Sequence, residues 1–159
     1  MRLSRAVVTL VALSAIACGG SSSTNITGNN NNNSSAPMSA TIDGAQWSAP
    51  LPQATYRNNI LSVAGIDLGL TASVSFGITV NRTGTYSLDF GHSGIAANAV
   101  VTKGGQGWTT GVPGGTGSLT ITALTANHAA GTFVFDAAGA SGGATGTVHV
   151  TNGKFDITF

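Results

Sequence analysis

The sequence predicts an all-β domain, an antiparallel β-sandwich or flattened barrel of about 8–10 short strands behind a disordered N-terminal tether. Three observations lead there. Beyond residue 38, apolar residues take every second place in run after run. Gly, Asn and Asp punctuate those runs at turn spacing. No helical stripe of useful length interrupts them. Side chains two apart share a face of a strand, so each run has an apolar inner face and a Thr-rich outer one.

The elements follow in order. Ser39 to Ser48 holds Asp43-Gly44 between two extended stretches. Asp-Gly accepts the positive φ of a tight hairpin, so Asp43 reads as a turn residue and not as a ligand. Asn58-Asn59 reads as the turn joining Ala54–Arg57 to Ile60–Ile66. Val74, Phe76, Ile78 and Val80 share one face, as do Tyr86, Leu88 and Phe90. Leu119, Ile121 and Ala123 repeat the pattern, followed by Phe133 with Phe135, and Val148 with Val150. Gly84-Thr85, Gly131-Thr132 and Gly146-Thr147 read as similar hairpin starts. Asn152-Gly153 reads as a turn joining the last two strands. Phe155, Ile157 and Phe159 then lie on an edge or closing strand.

Residues 1–17 read as a lipoprotein signal peptide. Arg2 and Arg5 precede an apolar stretch from Ala6 to Ala17, and the only cysteine, Cys18, follows. The stretch is too short to span a bilayer, which takes about 20 apolar residues, and it suits a secretory h-region. Ala15-Ile16-Ala17-Cys18 resembles a lipobox, with Ala where Leu is commonest. Ala15-x-Ala17 also fits ordinary signal peptidase cleavage, which would leave a soluble chain with a free thiol. Lipid attachment at Cys18 accounts for the single cysteine. Three acyl chains, at about 0.8 kcal/mol per buried methylene, would hold durably. No Asp follows Cys18. The expected location is therefore the outer membrane, lipid-anchored, on its periplasmic or cell-surface face.

Residues 18–37 read as the lipidated Cys and a flexible polar linker of Gly, Ser, Thr and Asn. Such a tract cannot offset the entropy of ordering, and its root-mean-square span is about 25 Å. Residues 38–159 remain as one domain. With no disulfide available, the domain depends on its core alone. After the signal its cations are Arg57, Arg82, Lys103 and Lys154. They face five Asp and no Glu. No clustered basic face exists to bind nucleic acid.

Several stretches together resemble a known family. They are Ala40-Thr-Ile-Asp-Gly-Ala-Gln-Trp47-Ser-Ala, Gly84-Thr-Tyr-Ser-Leu, Gly117-Ser-Leu-Thr-Ile-Thr, Gly131-Thr-Phe-Val-Phe and Val150-Thr-Asn-Gly-Lys-Phe155. The chain is similar, over nearly the whole domain, to an uncharacterised all-β domain family of bacterial envelope lipoproteins. That resemblance implies an envelope lipoprotein with Trp47 and Phe155 as core anchors. It carries no catalytic residues over.

The residues offer little chemistry. Gly139-Ala-Ser141-Gly-Gly143 spells a nucleophile elbow, but a strand follows where a helix is needed. Gly91-His92-Ser93-Gly94 lies near Asp89, yet local adjacency is not triad geometry. His92, His128 and His149 stand at no metal-ligand spacing, so no metal or cofactor is expected. The five Asp are scattered singly, whereas a glycosidase needs two opposed carboxylates. Lys103 to Gly115 reads as a mobile loop carrying Trp108. Its indole either stacks on a sugar ring or a partner's apolar group, or folds back to cap the domain. The expected function is that of a non-catalytic binding or interaction module with a glycan or envelope-protein partner. A structural accessory subunit of an envelope complex is the alternative, and a hydrolase with a converged site comes third.

Overall fold

The computed structural model of the protein describes residues 36–92 and 97–159. Eleven strands form among them: β1 (Met38–Ile42), β2 (Ala45–Ala49), β3 (Gln53–Arg57), β4 (Ile60–Ile66), β5 (Ala72–Thr79), β6 (Gly84–Ser87), β7 (Ala97–Lys103), β8 (Gln106–Thr109), β9 (Thr116–Leu124), β10 (His128–Ser141) and β11 (Thr147–Thr158). Every pairing is antiparallel, in one sheet of order β2-β1-β11-β10-β8-β7-β5-β4-β3. β9 pairs with β10 beside β8, and β6 adds to β9. The sheet curls into a half-barrel, the barrel-like one of the two expected architectures. The two ends of that main order, β2 and β3, are joined by the short Pro50-Leu51-Pro52 link.

The alternating pattern works as polarity demands. Leu61, Val63, Val74, Phe76 and Ile78 point inward from β4 and β5, and Phe133, Phe135, Val148, Val150, Phe155 and Ile157 from β10 and β11. Phe76 meets Phe133 at 5.5 Å and Phe155 at 5.2 Å between ring centroids, tilted or edge-on. These contacts close one arm of the curl on the other. Trp47 is buried where β2 passes over β4, and its indole N–H donates to the Ala72 carbonyl at 3.3 Å. A methyl on Gly65 would come within 2.7 Å of Ala49 Cβ and 2.9 Å of Met38 Sδ, so glycine is what lets β4 approach β1 and β2.

The expected turns at Asp43-Gly44 and Asn58-Asn59 form with all four residues at positive φ. Other expectations change. Two strands are long, because β10 is paired along both sides and β11 runs between β1 and β10. The C-terminal strand is thus interior. Asn152-Gly153 is not a turn but a β-bulge inside β11. Thr151 and Asn152 stand opposite Val134 alone, with Asn152 at φ 52°. Both pairings of β11 shift there, since a hairpin turn would have cut the strand that β1 needs. Gly131 lies within β10 and starts no hairpin. β6 ends at Ser87, so Phe90 is exposed and leaves the inner face assigned to it.

Candidate functional site

Each Asp of the chain has a structural partner. Asp43 receives the backbone N–H of His149 at 2.9 Å and lies 3.7 Å from the Lys103 ammonium. Asp89 closes the segment after β6 onto β9 by accepting the Gly117 N–H at 2.7 Å. That bond first, then the Ser87 hydroxyl, holds its carboxyl below the ordinary value. Asp136 pairs with His149 Nδ1 at 2.7 Å, and Asp156 with His128 Nε2 at 2.8 Å, both on the outer face of β10 and β11. Sequence reading missed these two pairs. The first was findable: Asp136 and His149 are direct partners across the β10–β11 hairpin. The second is diagonal and lies beyond the bulge, so it needs the register itself. Among the described residues, no group of three or more His, Cys, Asp or Glu gathers as a metal site would require.

The expected site residues fall in different places. Cys18 lies outside the described residues, as do Ser93 and Gly94 of the His92 segment. Ser141 ends β10 over Gly107. Trp108 is not on an exposed loop. It lies on β8, between β7 and β10, with its side chain 7% exposed and its Nε1 donating to the Thr145 carbonyl at 3.1 Å. The glycines around it serve tight β turns at Gly104-Gly105 and close strand contacts, which is why a strand reads as a loop.

Asp67 has the most specific task. It opens the β4–β5 loop, and its carboxylate accepts the Thr71 N–H at 2.7 Å, the Ala72 N–H at 3.2 Å and the Thr71 hydroxyl. The backbone adds Leu70 N–H to the Asp67 carbonyl at 3.0 Å and Asp67 N–H to the Ala72 carbonyl at 3.2 Å. The Thr71 hydroxyl first, then the Ala72 N–H, holds the Asp67 carboxyl below its ordinary value of 3.8. What this brace displays is apolar. Ile66 is 45% exposed, Leu68 83% and Leu70 74%, and Leu70 is held at φ 54°. A left-handed leucine costs about 1–2 kcal/mol of backbone strain. Each leucine forgoes roughly 1.5–3 kcal/mol that burial would supply. Beside the loop lies a depression of about 650 Å³ walled by Ile66, Leu70, Thr102 and the Lys103–Gly107 turn. Lys103 is its one charged wall residue. The arrangement offers apolar contact area and one cation.

The brace predicts a pH dependence. A carboxyl with a lowered folded pKa contributes stability fully above its unfolded value and loses it as pH falls through the folded one. Asp67→Asn should melt below the parent at neutral pH. The gap should close as pH drops below 3.8. Melting curves of both proteins from about pH 6 to pH 2 check this.

A family model described as a domain of unknown function, DUF6252, matches residues 33–157. The chain belongs to the DUF6252 family. The match takes in all eleven strands of this DUF6252 domain except the last residue of β11, and it is to an uncharacterised domain family, as the resemblance implied. No curated protein and no solved structure matches the chain.

Proposed function

We propose that this DUF6252 protein is a lipid-anchored protein of the bacterial envelope whose domain is a non-catalytic interaction module, docking a partner through the braced loop Ile66–Thr71. The observation that carries the reading is the loop itself. Leu68 and Leu70 are exposed on a loop pinned by the Asp67 carboxylate, and Ile66 is exposed at the end of β4 beside it. Large apolar side chains exposed close together in sequence are candidates for such a contact. The engagement of all five Asp in turns, braces and cross-strand pairs supports binding without catalysis.

The anchor belongs to the same proposal. Residues 1–17 act as the signal peptide, Cys18 carries the lipid, and residues 18–37 tether the domain to the outer membrane. Two details of the fold set the loop apart from the first described residues of the linker. The tether joins β1 beside the start of β10, where the Asp156 N–H bonds the Pro37 carbonyl at 2.8 Å and Ala36 lies by Ala130. The braced loop lies by Ser141, at the other end of β10. From Ala130 to Ser141 an extended strand covers roughly 35 Å. The loop therefore lies at the end of β10 opposite Ala36 and Pro37.

Purification of the tagged protein from membranes in mild detergent tests the reading. The parent should bring down one envelope partner. Leu68→Ser with Leu70→Ser should lose it while melting within about 0.5 kcal/mol of the parent, as exposed substitutions do. Cys18→Ser should shift the chain out of the membrane fraction. Retention of the partner by the double variant would refute the loop contact, and membrane retention of Cys18→Ser would refute the anchor.

A further inference from the structure

The outer face of the opposite arm carries a second, chemically different depression. Two rows of residues cross β3, β4, β5 and β7 in direct register. One runs Thr55, Ser62, Gly77, Asn98; the other runs Gln53, Ala64, Ser75, Val100. Between them lies a hollow of about 350 Å³, within the roughly 300–1,000 Å³ range of small-ligand sites.

Gly77 makes the hollow, and the fold gives no reason for a glycine there. Its φ is not in the left-handed region, and it lies mid-strand in β5, where glycine weakens a sheet. An added Cβ would meet Asn98 Oδ1 at 3.7 Å and Ser62 Oγ at 4.0 Å, ordinary contacts both. The inner-facing strand glycines differ: a Cβ on Gly65, Gly131 or Gly153 would collide with side chains or backbone across the sheet. A strand glycine without a packing reason marks close approach by something else.

The lining indicates what approaches. The rim has two carboxamides, Gln53 and Asn98, and three hydroxyls, Thr55, Ser62 and Ser75. The floor is aliphatic, from Ala64, Val100 and the Gly77 backbone, and no charged side chain lines the hollow. Elsewhere on the outer faces hydroxyls bond one another across strands, Ser73 with Thr102 at 2.6 Å and Thr85 with Thr120 at 2.9 Å. Among the described residues, the five rim side chains make no such bonds. Carboxamides and hydroxyls both donate and accept, as sugar hydroxyls do. A pyranose has a C–H face to lay on an aliphatic floor and a hydroxyl edge to meet such a rim.

We infer that the hollow over Gly77 is a binding site for a neutral glycan, one or two pyranose units lying across β4, β5 and β7. The site is separate from the braced loop, and neither inference depends on the other. Its test uses the mature full-length chain in a detergent without sugar headgroups. The chain is titrated calorimetrically with cellohexaose, maltohexaose, laminarihexaose and xylohexaose, and with polygalacturonate as a charged control. At least one neutral hexasaccharide should bind. Gly77→Val should weaken that binding about tenfold or more by filling the floor, with a melting temperature equal to or above the parent's. Asn98→Ala should weaken it about tenfold through a lost hydrogen-bonding group. Leu68→Ser with Leu70→Ser should bind like the parent. Binding by none of the neutral sugars, binding of the polyanion alone, or undiminished binding by a folded Gly77→Val chain would each overturn the assignment.

Discussion

Phe133→Ala should destabilise the domain by about 3–5 kcal/mol, the range for deleting a buried aromatic side chain. Phe133 is 3% exposed, meets Phe76 on the facing arm and stacks on Phe135 at 6.1 Å. Removing it opens a cavity where the two arms of the curl touch, and the facing strands cannot collapse into it without breaking register. Its ring also covers Gly153, whose missing side chain leaves the space the ring occupies. A single domain of this size has roughly 5–15 kcal/mol of stability in all, so this one truncation removes a large share. Urea unfolding of parent and variant checks it, with an unchanged slope and a lower midpoint expected. A loss below about 1 kcal/mol would mean that the arms are not packed through this ring.

Gly153→Ala should cost about 1–3 kcal/mol or more, the range for forcing extra volume into a packed core. A Cβ there would run into the Phe133 ring and the Phe133 carbonyl. The backbone cannot move aside. Asn152 next to it is already left-handed at φ 52°, and the bulge is fixed by β1 on one side and β10 on the other. Gly77→Ala is the matched control, with ordinary contacts and no positive φ, and it should leave the midpoint unchanged or raise it. Equal behaviour of the two variants would contradict the bulge geometry.

The contrast between these glycines shows where the sequence was readable. Period-two alternation identified the strands because polarity alone fixes it: Phe133 and Phe135 point in while Val134 points out, whatever they pair with. Turn chemistry placed Asp43-Gly44 and Asn58-Asn59 because positive φ is a local demand. Asn152-Gly153 makes the same local demand, yet β1 and β10 hold it inside a continuous strand. That outcome depends on neighbours more than 100 positions away in the case of β1, and no short stretch records it. Trp108 misled for the same reason, since its surrounding glycines look like a loop until strands on both sides are in place.

The candidate sites divide the same way. Asp67 with Ile66, Leu68 and Leu70 lies within a few residues, and its unusual pairing of a turn acid with leucines is visible in sequence, although its brace is not. The hollow over Gly77 draws its rim from four strands and exists only in register. The His128–Asp156 pair depends on register too.

The braced loop is the proposed meeting point with a partner. A photo-crosslinking residue placed at position 68 of the full-length chain in living cells tests it most directly, with position 51 as the control, since Leu51 is equally exposed at 81% on the link between β2 and β3. Position 68 should give a discrete, light-dependent adduct that Asp67→Ala diminishes, and position 51 should give none. Equal adducts from both positions, or none from position 68 in cells where the chain is anchored and folded, would contradict it.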